Sequence, residues 1–132
     1  MKVTFLTLDE VLALHADQIE RYGGRPGLRD IGLLQLALGV PRATFEGRLL
    51  HGSLHELAAA YLFHLVRDHP FVDGNKRAGL AALLAFLGLN SHRLDADARE
   101  LEKVVRGGGA GKTTKAEVAV FMQRHMRPRR YS

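Results

Sequence analysis

Asp68-His69-Pro70-Phe71-Val72-Asp73-Gly74-Asn75-Lys76-Arg77, followed at once by the apolar run Ala78–Leu89, is the part of the chain on which the architecture turns. Pro70 disfavours helical backbone at the residue before it, so a helix arriving from the N-terminal side stops at His69. Gly74 relaxes the backbone, and a new helix starts near Asn75 or Lys76. In Ala78–Leu89, Leu80, Leu83, Leu84 and Leu87 make one helical face, while Ala81, Ala82, Ala85 and Phe86 fill the others. A helix apolar all round is normally buried at the centre of a domain. At twelve residues this run is too short for a bilayer, which takes about 20.

Working outward, other segments carry the helical period. After Thr7 as N-cap, Leu8, Val11, Leu12, His15, Ile19 and Tyr22 share a face, and Gly23-Gly24 ends the run. Ser53 with Glu56 reads as a capping box ahead of Leu54, Leu57, Ala58, Tyr61, Leu62 and Leu65. Both read as surface helices with one buried stripe. Asp30–Val40 is a further helix, ended by Pro41, and two more cover about Asp97–Arg106 and Thr114–Met126. Val3-Thr-Phe-Leu6 is the one segment with strand character. The expectation is a single all-α domain over residues 1–132, a compact helical bundle with a central buried helix.

Composition narrows the class. Hydrophobic residues at 46% and charged residues at 25% describe a globular chain, not a disordered one. With no cysteine, disulfides and thiolate metal sites are excluded. The N-terminus has no apolar run long enough for a signal segment, and none elsewhere approaches a membrane span, so the expected location is the cytoplasm. The net charge of +5 is uneven: from Lys103 onward eight basic residues face one acid, Glu117, whereas residues 1–102 carry a slight acidic excess. Arg124, Arg127, Arg129 and Arg130 thus form a basic tail, expected to be flexible from about residue 127, that suits nucleic acid or an acidic protein partner.

The loop holds the chemistry. A helix N-terminus presents unpaired N–H groups and the positive end of its dipole, which together attract anions. Here Asn75, Lys76 and Arg77 add donors and charge. Arg can grip phosphate oxygens with a fork of hydrogen bonds, and Lys acts as a point charge. A carboxylate beside a phosphate site, here Asp73, is a usual way to hold Mg²⁺. An imidazole, here His69, is a usual general base toward a hydroxyl. A lone His or Asp is more often part of a polar turn, but five such groups within nine residues at the start of an apolar helix favour a phosphate-transfer site.

The order His-x-Phe-x-Asp-x-Asn-Lys-Arg over 69–77 resembles the signature loop of the Doc (death-on-curing) toxins, and His-Pro-Phe-x-x-Gly-Asn is shared with the wider Fic superfamily. The resemblance extends to Leu14-His15, Ile19-Glu-Arg-Tyr-Gly-Gly24 and Gly27-Leu-Arg-Asp-Ile-Gly-Leu-Leu34, covering most of residues 6–125. It implies the toxin of a type II toxin–antitoxin pair, an ATP-dependent, kinase-like phosphotransferase that modifies a threonine of elongation factor Tu and halts translation. Residue by residue, it implies His69 as base, Asp73 as Mg²⁺ ligand, and Gly74, Asn75, Lys76 and Arg77 as the phosphate grip. It further implies Phe71 as the buried anchor of the loop and Arg21 and Tyr22 as a rim. The implied partners are ATP, Mg²⁺, an antitoxin and a translation factor. DNA would be met only through a toxin–antitoxin complex, and a membrane not at all.

AMP-transferring relatives usually have Gly-Asn-Gly-Arg where this chain has Gly74-Asn-Lys-Arg77, so Lys76 is the Doc-like feature. His-Pro-Phe and Asp-Gly-Asn stand nearer to the AMP-transferring pattern. Protein AMP transfer therefore remains an alternative, as does a non-catalytic module whose loop only binds an anion. Two other motifs carry less. Gly107-Gly-Gly-Ala-Gly-Lys-Thr113 resembles a phosphate-binding loop, but Arg106 stands where the first glycine is required and a helix precedes it, not a strand. His51 and His55 have zinc-binding helical spacing, but Gly52-Ser53 places the helix start after His51.

Overall fold

The structure, a computed structural model, describes residues 2–129. Six helices dominate: α1 (Leu8–Tyr22), α2 (Ile31–Arg42), α3 (Leu54–Asp68), α4 (Asn75–Leu89), α5 (Ala98–Gly109) and α6 (Lys115–His125). Four short strands form two antiparallel pairs: β1 (Thr44–Phe45) with β2 (Arg48–Leu49), and β3 (His92–Leu94) with β4 (Met126–Pro128). The fold is an all-α bundle with a central buried helix. No helix among the described residues is long and apolar enough to cross a membrane.

The central position belongs to α3, which packs against α2, α4, α5 and α6. Leu57 through Leu62 are buried without a break, with Leu65 and Val66 closing the next turn. The single-stripe reading of this helix missed that Ala58, Ala59 and Ala60 let neighbours approach on every side. Conversely, α4 buries Ala78, Ala82, Leu83, Phe86 and Leu87 but leaves Leu84 45% exposed, so its apolar circumference overstates its burial.

Side-chain caps set most helix starts. Thr7, Asp30, Ser53, Asp97 and Thr114 each accept a backbone N–H from the first turn, worth about 1 kcal/mol apiece. Pro41 does not end α2: the helix continues to Arg42 and loses only the hydrogen bond that Pro41 has no N–H to make. The three glycines from Gly107 belong to α5, and the Gly107 carbonyl then accepts from the N–H groups of Lys112 and Thr113 at 2.8 and 3.1 Å. Their N–H groups serve the helix and its cap, not an anion.

Val3–Leu6 is not a strand. The Asn90 side chain takes both backbone groups of Thr4, accepting its N–H and donating to its carbonyl at 2.9 Å each. Leu6 then donates its N–H to the Tyr61 hydroxyl at 3.0 Å. These bonds replace a sheet ladder. Of the tail expected to be loose from about residue 127, Arg127 and Pro128 lie in β4, paired with Arg93 and His92, and the Arg129 N–H reaches the Ser91 carbonyl at 2.8 Å. Residues 130–132, Arg130 among them, lie outside the described residues.

Candidate active site

The loop between α3 and α4 is held in one shape by a closed set of bonds. His69 caps α3 in the left-handed conformation, φ 50° and ψ 55°, a backbone state that costs a non-glycine residue roughly 1–3 kcal/mol. Arg29 offsets this. Its Nε donates to the His69 carbonyl at 2.7 Å and its Nη2 to the Asp68 carbonyl at 3.1 Å, satisfying carbonyls that the helix end leaves open. The backbone N–H groups of Arg29 and Asp30 both reach the Pro70 carbonyl, Val72 N–H reaches the Gly27 carbonyl, and Leu28 bridges Phe71. The α1–α2 connection therefore runs along the loop as a supporting strip.

Phe71, 2% exposed, points into the core and stacks on His15, with ring centroids 3.7 Å apart and planes 5° from parallel. His15 is itself 4% exposed, and its Nε2 lies 2.7 Å from the Asp73 carbonyl, an acceptor, so Nε2 carries the proton. One buried ring thus fixes both the anchor and the backbone of the carboxylate residue.

Asn75 also turns inward, at 7% exposure. Its Oδ1 accepts the Phe71 N–H at 2.9 Å, and its Nδ2 donates to the Phe71 carbonyl at 3.0 Å and faces His69 Nδ1 at 3.3 Å. The first two bonds fix the orientation of the amide, so Nδ2 is a donor toward His69 and Nδ1 accepts. In its neutral form the exposed His69 ring then carries its proton on Nε2. With both polar atoms of its side chain engaged in the loop, Asn75 holds the loop in shape.

The charged groups of the loop lie where α4 begins. Gly74 occupies the left-handed region at φ 74°, and a Cβ there would come within 3.1 Å of Ile19. No side chain caps α4 and no acid lies in its first turn, alone among the six helices in lacking a side-chain cap. Its first-turn N–H groups have no intrahelical acceptor. The Asp73 carboxylate stands beside them: Oδ2 accepts the Arg25 N–H at 3.0 Å and Oδ1 the Gly74 N–H at 2.9 Å. These two bonds, reinforced by the charges of Arg77 and Arg25, hold its carboxyl below the usual range, against a smaller opposing effect of burial. Arg77 reaches over from α4: its Nη2 and Asp73 Oδ2 would each lie 2.9 Å from a Cβ on Gly24, so the glycine is what lets the three meet. Lys76 is exposed on the outer side of the same turn.

The structure thus gathers His69, Phe71, Asp73, Gly74, Asn75, Lys76 and Arg77 around one helix start. Arg21 pairs with Asp17 at 2.9 Å and Tyr22 is 68% exposed; among the described residues neither is hydrogen-bonded to the loop. The rim nearest the loop is formed by His15, Ile19, Gly24 and Arg25. Gly24 was legible as a helix stop, and His15 and Arg29 stood in segments that carry the resemblance, but nothing local gave them, or Arg25, a partner in the loop. His51 and His55 do not converge: His55 faces Ser53 Oγ, and His51 faces Lys115 Nζ from α6.

Comparison with known proteins agrees with this loop. The family model described as Fic/DOC family matches residues 5–87. The chain is 34% identical over 116 residues to "Protein kinase doc" of Escherichia phage P1, an overlap of 88% of this chain and 90% of that one. It is 45% identical over 76 residues to "Toxin Doc" of Mycolicibacterium smegmatis, covering 58% of each chain. With the family's match spanning the whole loop and the first relative covering nearly the full length, this chain belongs to the Fic/DOC family.

Proposed function

We propose that the protein is a Doc-type toxin that transfers the γ-phosphate of ATP to a protein hydroxyl, acting in the cytoplasm and restrained by a separate antitoxin. The observation that carries this reading is the bare start of α4, flanked by an ionised Asp73, by Arg77 and by the exposed imidazole of His69. The names of the two relatives, a protein kinase and a toxin, support it.

The donor set fits Mg²⁺ bound together with a nucleotide. Among the described residues no group of three or more His, Cys, Asp or Glu could cage a metal ion. One carboxylate with lone pairs to spare, beside an anion site, is how an ion shared with phosphate oxygens is held. When bound, Mg²⁺ would neutralise phosphate charge and orient the transferring group.

The chain's own groups divide the remaining work. The first-turn N–H groups of α4 and the Arg77 guanidinium hold phosphate oxygens. In the transfer the substrate hydroxyl oxygen bonds to the γ-phosphorus while the bond to the β,γ-bridging oxygen breaks, and ADP departs. The hydroxyl proton passes to His69. For Nε2 to accept it, the ring must first move its own proton to Nδ1, which releases the 3.3 Å contact with Asn75. As the target we propose a threonine of elongation factor Tu, on the strength of the resemblance over residues 69–77. The reading is tested by His69→Ala, which is expected to lower transfer by about 10²–10⁴ while helicity is retained. A fully active and toxic variant would remove His69 from the chemistry.

A further inference from the structure

Beside the loop, the cleft between α4 and α5 carries more positive charge than the fold uses. A cavity of about 390 Å³ has Lys76 and Arg77 on one wall, Glu102 and Arg106 on the other, and an apolar floor of Leu80, Leu101 and Val105. It adjoins a second cavity of about 690 Å³ through the shared Glu102 and Arg106, where Arg99, Lys103 and Lys112 stand on the rim. Together the two are lined by six basic side chains and one carboxylate.

The acids of α5 already have partners: Glu102 pairs with Arg106, and Glu100 lies 3.8 Å from His125 Nε2. Among the described residues, no carboxylate lies within 4.0 Å of Arg99, Lys103 or Lys112, and all three are exposed. Helix stability does not account for them. A cation near the C-terminal end, such as Arg106, complements the dipole, whereas Arg99 stands in the first turn, where a positive charge opposes it.

We propose that this trough docks an acidic segment of the protein substrate, leading it toward His69. Naming the segment as part of the substrate rests on the phosphotransfer reading; the binding itself does not. An acidic peptide suits the surface better than a nucleic acid. The apolar floor accepts hydrophobic side chains between carboxylates, Glu102 interrupts the path of a continuous phosphate chain, and neither cavity is lined by an aromatic ring on which a base could stack.

The test uses the full chain, labelled for NMR, titrated without ATP against a short poly-glutamate peptide, duplex DNA of mixed sequence, and inorganic phosphate. Poly-glutamate is expected to shift the amides of α5 and of the first turn of α4, with affinity falling as salt rises. Joint substitution Arg99→Glu, Lys103→Glu and Lys112→Glu should weaken binding about tenfold or more, and the matching triple change to Gln should fall between. In label-transfer assays the Glu variant should raise KM for protein with kcat retained. Shifts that map elsewhere, equal binding by all three proteins, or α5 shifts with DNA or phosphate but not with poly-glutamate would overturn the proposal. Poly-glutamate binding at α5 in a protein that transfers no phosphate would uphold the trough and remove the phosphotransfer reading instead.

Discussion

Asn75 grips the peptide groups of Phe71 from both sides, its Oδ1 accepting the N–H at 2.9 Å and its Nδ2 donating to the carbonyl at 3.0 Å. The side chain at the first position of α4 therefore closes the loop onto the helix it starts, and the same amide faces His69. Asn75→Ala leaves two buried backbone groups of Phe71 without partners. We expect a loss of roughly 1–3 kcal/mol in chemical denaturation. Displacement of His69 should cost phosphate transfer about 10²-fold. Nitrogen-detected NMR of the wild-type His69 ring is expected to show the proton on Nε2 in the neutral form; a proton on Nδ1 would contradict the role given to Asn75.

His15 and Phe71 form a second support that is separable from the first. Phe71→Ala should destabilise by about 3–5 kcal/mol through loss of a fully buried ring. His15→Phe preserves a ring against Phe71 but removes the bond to the Asp73 carbonyl, for an expected loss of about 1–2 kcal/mol. Equal stability of wild type and His15→Phe would mean that the ring serves packing alone.

Asp73 and Arg77 should fail in different ways. Because its folded-state carboxyl lies below the usual range, Asp73 stays ionised above its ordinary titration range and loses its charge only as pH falls through the lowered value. Mg²⁺-dependent transfer should accordingly not decline from Asp73 protonation at mildly acidic pH, and Asp73→Asn should remove the Mg²⁺ dependence along with activity. Arg77→Lys retains charge but not the fork, and is expected to remain near the level of Arg77→Ala. Wild-type rates in Arg77→Lys would show that charge suffices.

A pH response of stability should arise where α6 meets α3. The Lys115 Nζ lies 3.2 Å from His51 Nε2 and 3.3 Å from His64 Nε2, so both imidazoles must be neutral to accept its protons. Burial first, and then the Lys115 charge, lower the titration of both; Glu56 partly opposes this at His51 and Asp68 at His64. A lowered folded-state value gives stability that is present above the ordinary value of about 6.5 and lost as pH falls through the lowered one. Tm should therefore drop between about pH 7 and pH 5, and His64→Gln should flatten the drop. An identical slope in that variant would place the response elsewhere.

The parts of the structure that were legible are those written locally. Thr7 and Ser53 capped the helices expected of them, and Pro70 with Gly74 bounded the loop because each restricts or frees the backbone where it stands. What was not legible depends on meetings across the chain. Thr4 finds Asn90 at a separation of 86 residues, and Arg25 finds Asp73 at 48, with no periodicity to announce either. The two-residue strands β1 and β2 are too short to show alternation, although Glu46 and Gly47, both at positive φ, form the tip of their hairpin. Asn75 reads in sequence as one more polar donor at an anion site; only its burial shows that its amide faces the loop.

The central claim, transfer of the terminal phosphate, is tested most directly by supplying purified protein, Mg²⁺ and a cell extract with ATP labelled in turn at the γ and α positions. Lys76 stands exposed in the first turn of α4, where the resemblance gives AMP-transferring members usually a glycine, and on the proposed reading its charge and bulk seat the phosphates differently from glycine. Label from the γ position should enter a protein and label from the α position should not, with both absent in His69→Ala. Incorporation of the α label by the wild-type protein would contradict phosphotransfer and assign the site to AMP transfer.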